Sequence, residues 1–282
     1  MSKRPEAYGE LGQVSLSDTR YNPKRLFSIA REPNRLALGL NASSLPFVGI
    51  DVWNHYEVSW LNALGKPCVA MARIIYDCSS PNLIESKSLK LYFNSLNQSC
   101  FESAQMLTQQ IKKDLSACLE TDVLVQLFLS SDWKARMISE RFSGYCVDDL
   151  NIACSVYDID SNLLELDAGG EVVEEQLCSE LLRSNCPVTN QPDWGSVQVS
   201  YKGPRISPES FLKYIVSFRN HQGFHEQCIE QIFIDLSKHC TPEKLTVYGR
   251  YTRRGGLDIN PYRSTEAFDW HDDRFEVDLM RQ

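Results

Sequence analysis

The segment that decides the fold runs from residue 52 to residue 76 and reads VWNHYEVSWLNALGKPCVAMARIIY. Apolar and polar residues alternate on both sides of Leu64-Gly65-Lys66-Pro67, which is the pattern of two strands joined by a turn. The alternation predicts that Tyr56, Val58 and Trp60 share one face of the first strand. We therefore expect an antiparallel hairpin at the start of the core.

The elements that follow the hairpin occur in an order that the second half of the chain repeats. Apolar spacing in the first half predicts a helix over 89–96, a second helix over 106–115 and a strand at 123–127. The second half predicts a strand at 197–201, a turn at 202–204, a helix from Pro208, a longer helix around 229–236 and a strand at 245–248.

Individual residues also match between the halves at a constant spacing along the chain, which favours an internal duplication. The matched residues are Pro81, Leu89, Lys90, Asn97 and Phe101 in the first half, and Pro204, Leu212, Lys213, Asn220 and Phe224 in the second. The sequence thus predicts an α+β protein of two related modules, each an antiparallel sheet with helices packed on one face. We assign residues 1–40 to an N-terminal arm, 41–140 to the first module, 141–175 to a connecting segment and 176–282 to the second module.

The composition disfavours several classes of protein. The formal net charge of -8 and the absence of clustered Lys and Arg predict no direct nucleic-acid binding. No apolar stretch is long enough to span a membrane or to act as a signal peptide, so a cytoplasmic protein is expected. The 10 cysteines include no Cys-x-x-Cys pair, which predicts reduced thiols and no structural metal site.

One loop carries the chemistry of a nucleophile and an acid. Cys186 precedes Pro187, and a residue before proline is disfavoured in a helix, so the thiol is presented from a loop. Seven residues later Asp193 lies between Pro192 and Trp194, where apolar surroundings raise a carboxyl pKa and keep the group protonated at neutral pH. A thiolate and a protonated acid are the pair that adds sulfur to an electrophile. The same sequence would also be explained by a packed thiol at Cys186 and a turn residue at Asp193.

Three further segments carry groups suited to a phosphate or a flat base. In the first, Glu85 precedes Lys87 and Lys90 at the start of a predicted helix, where ammonium groups and free backbone N–H groups would hold phosphate. In the second, Phe224-His225-Glu226 opens the long helix of the second half and offers a ring for stacking and polar groups for a base edge; helix capping is the plainer explanation. The third is Arg253-Arg254-Gly255-Gly256, an arginine pair before glycines that admit close backbone approach.

Together these segments resemble the NADPH-dependent nitrile reductases that convert 7-cyano-7-deazaguanine to 7-aminomethyl-7-deazaguanine on the route to queuosine in tRNA, in their long, two-module branch. The motif from Glu85 to Tyr92, the Cys186 loop and the Phe224-His225-Glu226 helix start carry the resemblance. It implies the tunnelling fold (T-fold), a homo-oligomer, which we expect to be a dimer, and a deazapurine substrate bound where modules meet.

The resemblance also implies roles for single residues. It predicts Cys186, Asp193 and His225 as catalytic residues acting through a covalent thioimidate, and NADPH as cofactor. The predicted substrate contacts are Ile84, Glu85, Ser86, Phe224, His225 and Glu226. The predicted cofactor contacts are Ser86, Lys87, Lys90, Arg254 and Gly255. No Gly-x-Gly-x-x-Gly element occurs, so NADPH is not expected on a Rossmann unit.

Two alternatives remain open from the residues. One is a zinc-dependent cyclohydrolase of similar fold, for which His221 and His225 could pair but no second Cys stands at a suitable spacing. The other is a non-catalytic purine-binding module in which Cys186 is inert.

Overall fold

The computed structural model of the chain describes residue 18 and residues 20–129, 138–275 and 277–282. Its first half contains β1 (Ser28–Ala30), α1 (Glu32–Ala37), β2 (Val48–Leu61), β3 (Pro67–Asp77), β4 (Asn82–Ile84), α2 (Ser86–Leu96), α3 (Ala104–Leu119) and β5 (Val123–Leu129). Its second half contains β6 (Ile138–Ser139), β7 (Tyr145–Cys146), β8 (Val172–Asn185), β9 (Pro192–Pro204), α4 (Pro208–Ser217), α5 (His225–Cys240), β10 (Lys244–Tyr251), β11 (Leu257–Ser264) and β12 (Asp278–Leu279).

Eight strands form one sheet that runs through both halves, in the order β5-β3-β2-β11-β10-β9-β8-β7. All neighbours are antiparallel except β7 and β8, which are parallel. The halves join where β11 pairs with β2, from Leu257 opposite His55 to Ser264 opposite Val48. We call this pairing the seam.

Each half has its own apolar core between the sheet and its helices. Trp53, Phe93 and Ile111 belong to the core of the first half, and Val197, Phe211 and Phe233 belong to that of the second. The predicted α+β class, with antiparallel strands and helices on one face, is therefore confirmed, and the strands of the two modules join in one large sheet.

The predicted hairpin is confirmed as β2 and β3, but the shared face predicted for Tyr56 is wrong. A β-bulge interrupts the register between His55 and Val58, and such an extra residue inverts the alternation of faces. Val58 and Trp60 lie in the first core, whereas the Tyr56 hydroxyl donates to Asp258 at 2.5 Å. The sequence contains no local signal for the bulge.

The modules share details that go beyond element order. β8 carries the matching irregularity, between Ser179 and Leu182. In each module a tyrosine and a glutamine donate to one aspartate, which links the two helices of that module. The groups are Tyr92, Gln110 and Asp114 in the first and Tyr214, Gln231 and Asp235 in the second. These parallels support the predicted duplication.

Two predictions about the second half need correction. The turn predicted at Lys202-Gly203-Pro204 is wrong, because β9 continues to Pro204 opposite Val172 of β8. The strand β11 was not predicted, because its residues are all buried and so lack the alternation of a half-buried strand. β11 forms the seam, so it decides how the modules meet.

The N-terminal arm packs on both modules. Tyr21 donates to Asp114 at 2.6 Å, and β1 pairs with β4, which ends at Ile84. Further on, Arg35 of α1 donates to Glu230 of α5 at 2.7 Å. Residues 1–17 and 19 of the predicted arm lie outside the described residues.

The connecting segment packs on the second module, because Val147 and Leu164 belong to its core. The boundaries predicted for the arm, modules and connecting segment stay predictions. Among the residues that the structure describes, no helix combines the length and apolar character needed to cross a membrane.

Candidate active site

The predicted nucleophile, Cys186, lies in a tight loop between β8 and β9. Its backbone N–H donates to the Gln191 carbonyl at 2.8 Å, and its carbonyl accepts from the Asn190 N–H at 2.9 Å. Asn190 adopts a left-handed conformation with φ of 55°, which asparagine tolerates better than most residues. The loop therefore fixes the backbone that carries the thiol, as expected for a cysteine before a proline.

Asp193 is the second residue of β9 and is 7% exposed. Burial raises the pKa of its carboxyl to about 6, against the opposing effect of Arg254. The Arg254 guanidinium lies 2.7 Å from Asp193 Oδ1, and His225 Nε2 lies 4.0 Å from the same oxygen. The pKa of Asp193 is shifted in the expected direction. A pKa near 6 means that the carboxyl gains and loses its proton just below neutral pH, so it is not held protonated at neutral pH.

The segment Phe224-His225-Glu226 opens α5, and neither His225 nor Glu226 caps the helix. The cap comes from Gln227, whose side-chain oxygen accepts the Phe224 backbone N–H at 3.1 Å. Burial and the nearby Arg254 lower the pKa of His225 to about 3, so the imidazole is neutral. Its ring meets the Tyr251 ring edge to face, with 4.0 Å between centroids.

Glu226 is the most unusual group of this helix start. It is 2% exposed, and its Oε1 is buried without a hydrogen-bond partner in the described part of the chain. Burial, followed by the charge of Asp51, raises the pKa of Glu226 to about 8. A buried carboxyl oxygen with no partner is costly, so this atom is suited to a ligand N–H.

These side chains surround one cavity at the junction of the two modules, which we call the junction cavity. Its lining consists of Trp53, Ile84, Ser86, Cys186, Pro187, Asp193, Phe224, His225, Glu226, Arg254 and Ile259. Residues from both modules thus contribute to a single cavity within one chain, because the seam brings the start of α2 next to the start of α5.

Three lining residues were not predicted from the sequence, namely Trp53, Pro187 and Ile259. Trp53 is 1% exposed, and its indole Nε1 has no hydrogen-bond partner among the described residues. A tryptophan in a strand is ordinarily a core residue, so only the pairing of Trp53 with Ile259 of β11, the strand that packs against α5, shows that this one borders the cavity. The lining thus offers an unpartnered donor in addition to the Glu226 acceptor.

A second, more open space of about 250 Å³ adjoins the junction cavity, and we call it the cationic cleft. It is lined by Ser86, Lys87, Lys90, Thr189, Gln191, Arg254, Gly255 and Leu257. All five predicted cofactor contacts are in this lining, and Ser86 and Arg254 border both spaces. Lys90 donates to the Gly255 carbonyl at 2.8 Å and pairs with Glu57 at 3.3 Å.

The structure corrects one expectation about the start of α2. The Glu85 carboxylate caps this helix by accepting the backbone N–H groups of Lys87 at 2.8 Å and Ser88 at 2.6 Å. These N–H groups are therefore not free to hold phosphate. Glu85 is also absent from the lining of the junction cavity, so its predicted contact with the substrate has less geometric support than that of Glu226.

Known proteins match most of the chain. Residues 17–127 match the family described as nitrile reductase, 7-cyano-7-deazaguanine-reductase N-term, and residues 192–269 match the QueF-like protein family. An NADPH-dependent 7-cyano-7-deazaguanine reductase of Legionella pneumophila (strain Corby) is 58% identical over 97% of this chain and 94% of the relative.

Two further proteins match the chain. The protein of the same name from strain Lens is 58% identical over 91% of this chain and 90% of its own. A crystal structure of an archaeosine synthase QueF-Like in the apo form matches with a TM-score of 0.30 and 19% identity, over 35% of this chain and 96% of that chain. By its sequence relatives, the chain belongs to the family of NADPH-dependent 7-cyano-7-deazaguanine reductases.

Proposed function

We propose that this chain reduces the nitrile of 7-cyano-7-deazaguanine to the primary amine with NADPH, on the route to queuosine in tRNA. The observation that carries the proposal is the junction cavity, where Cys186 and Asp193 lie beside an unpartnered buried carboxyl oxygen and next to the cationic cleft. The family relationship favours this activity over a cyclohydrolase or an inert binding module.

The substrate has donors and acceptors that suit the cavity. A deazaguanine offers N–H groups on its ring and amino group, and Glu226 Oε1 is the acceptor that lacks a partner. The base also has a carbonyl oxygen, for which the Trp53 N–H is a suitable donor. Phe224 offers a ring for stacking, and Ile84 and Ser86 line the cavity from the first module.

The first step adds a thiol across the nitrile. The Cys186 sulfur bonds to the nitrile carbon while one proton reaches the nitrile nitrogen, which gives a thioimidate. A carboxyl with a pKa of about 6 can accept the thiol proton and deliver it to nitrogen, and this is the role assigned to Asp193. Because the pKa of His225 is about 3, we assign it positioning of the intermediate and not the role of an imidazolium acid.

The residues of the cationic cleft fit a phosphorylated cofactor. Lys87, Lys90 and Arg254 supply cationic donors, and Thr189 has a buried Oγ1 without a partner in the described residues. NADPH bound there would supply hydride, and reduction of a nitrile to an amine needs two hydrides and two protons. Ser86 and Arg254 border both spaces, so they would orient the cofactor toward the thioimidate.

Mass spectrometry tests this function. Protein mixed with the nitrile but without NADPH should gain the mass of one nitrile, and added NADPH should convert the adduct to amine. Cys186→Ala should form no adduct and oxidise no NADPH. Cys240→Ala, which alters another buried thiol in the second core, is the matched control and should behave as the parent. An adduct on Cys186→Ala would refute the assignment, and zinc-dependent turnover would favour the cyclohydrolase.

We further propose a cytoplasmic homodimer that binds no nucleic acid directly. The ten cysteines are all free, as suits a reducing compartment. Among the described strands β5 pairs only with β3, which leaves an edge for a second copy. Light scattering during gel filtration tests the dimer, and a monomer mass at micromolar concentration would contradict it.

A further inference from the structure

A buried ionic cluster acts electrostatically on Glu226, which lines the junction cavity. We call it the arginine cluster, and it consists of Arg31, Arg35, Arg263, Asp51 and Glu230, all at most 3% exposed. Arg31 pairs with Asp51, and Arg263 reaches Asp51 at 2.8 Å and Glu230 at 2.9 Å. Arg35 donates to both Glu230 oxygens, at 2.7 and 3.1 Å.

The charges in this cluster do not cancel. Three guanidinium groups face two carboxylates, so one positive charge is left over, and a buried charge without compensation is costly. Glu226 lies one helical turn before Glu230 on α5, on the same side of the helix. Arg31 NH1 approaches Glu230 to 4.0 Å. An ionised Glu226 would therefore make this buried group of charges neutral.

The groups around Glu226 come from several elements. Asp51 on β2 raises its pKa, and Arg31 of the arm and Arg263 on β11 lower it. The uncharged Tyr76 of β3 and Tyr251 of β10 interact with it electrostatically, and so does the Cys228 thiol on its own helix. Asp193 of β9 and the neutral His225 line the same cavity. Of these groups, Arg31 is the cation that comes from the N-terminal arm.

We propose that Arg31 is a positioning residue for the substrate: it stabilises the ionised form of Glu226, which is the form that accepts the N–H groups of the base. This inference rests on the proposed function. In the absence of substrate, burial and Asp51 keep the pKa of Glu226 at about 8, so the carboxyl is largely protonated at neutral pH. Nitrile binding should therefore release a proton from Glu226.

The experiment measures nitrile affinity against pH in a Cys186→Ala background, where no covalent bond forms. Titration calorimetry with 7-cyano-7-deazaguanine from pH 6 to 9 gives Kd for the background and for added Arg31→Gln, Arg31→Lys and Glu226→Gln changes. Arg35→Gln is the matched control, because it removes the same charge from the same cluster. Asp51, Arg31 and Arg263 are the charges that act most strongly on Glu226, and Arg35 is not one of them. Thermal melts report whether each variant is folded.

We expect Kd in the background to fall about tenfold per pH unit and to level off near pH 8, as one linked proton requires. Arg31→Gln should weaken binding about tenfold at pH 7 and move the plateau upward by about one pH unit, since one pKa unit is a factor of ten. Arg31→Lys should keep the plateau near that of the background. Arg35→Gln should also leave the plateau in place, whatever its effect on stability.

Three results would overturn the inference. One is a pH-independent loss of affinity in Arg31→Gln equal to that in Arg35→Gln, which would mark a purely structural role. The second is a pH dependence that persists in Glu226→Gln, which is informative even if Arg31→Gln does not fold. The third is an Arg31→Lys plateau displaced by a full pH unit. If the Cys186→Ala background binds no nitrile at any pH, the proposed function fails instead.

Discussion

Replacement of Arg254 by methionine tests how Arg254 affects the pKa of the Asp193 carboxyl. In the proposed first step Asp193 must be ionised to accept the proton of the Cys186 thiol. A protonated Asp193 cannot accept it, so adduct formation should decline as pH falls through the Asp193 pKa of about 6. Arg254 stabilises the carboxylate from 2.7 Å, and its removal should raise that pKa.

The size of the shift follows from Coulomb's law. Two unit charges about 4 Å apart interact by roughly 1 kcal/mol in water and roughly 4 kcal/mol near a protein surface. The Arg254 side chain is 41% exposed, so solvent screening favours the lower end. An interaction of about 1.4 kcal/mol is one pKa unit, and we expect the decline to move from about pH 6 to about pH 7.

The assay is the rate of adduct formation without NADPH, measured by rapid quench and intact mass between pH 5 and 8. Omitting NADPH separates this effect from the loss of cofactor affinity that Arg254→Met should also cause. Arg253→Met is the control, because Arg253 stacks on the Tyr56 ring at 3.3 Å and has no ion pair with Asp193 in the described structure. An unshifted decline in Arg254→Met would refute the reasoning.

The remaining predictions separate substrate groups from cofactor groups. Lys87→Ala should raise the KM for NADPH about tenfold, as loss of one charged hydrogen bond does, and leave adduct formation intact; steady-state kinetics and intact mass decide this. Glu226→Ala should weaken nitrile binding about a hundredfold and slow adduct formation without NADPH, and an adduct at the normal nitrile concentration would contradict it. Trp53→Phe should raise the Kd of the nitrile about fivefold but not that of an analogue lacking the ring carbonyl; equal losses would indicate a packing role. Asp193→Asn should lower turnover about a hundredfold or more with little change in thermal stability, and near-parental turnover would remove it from the mechanism.

The sequence predicted most of the elements because their signals are local. The alternation in β2 and β3, the proline before α4 and the apolar spacing of α5 each arise within one element. β11 was missed because burial on both faces removes alternation, and Tyr56 was misplaced because a bulge has no local signal.

The candidate site likewise contains residues with a local sequence signal and residues without one. Cys186, Asp193 and the Phe224-His225-Glu226 segment stood out because their motifs are contiguous. Trp53 reaches the site only through tertiary packing, and Arg31, which we propose to act on Glu226, lies in the buried arginine cluster. Neither has a motif around it, so periodicity or spacing could not identify them.

The register of the seam sets the distance between the two halves of the site. Sliding β11 along β2 by one residue would move the half carrying Cys186 by about 3.4 Å against the half carrying Ser86, and would turn every facing side chain to the opposite surface. At one end of the seam this register requires a glycine at position 49 of β2, because a Cβ there would lie 2.1 Å from the Tyr262 carbonyl oxygen. The backbone pairing of β2 with β11 therefore sets the distance between the nucleophile and the cationic cleft, and residues of both strands also line the junction cavity.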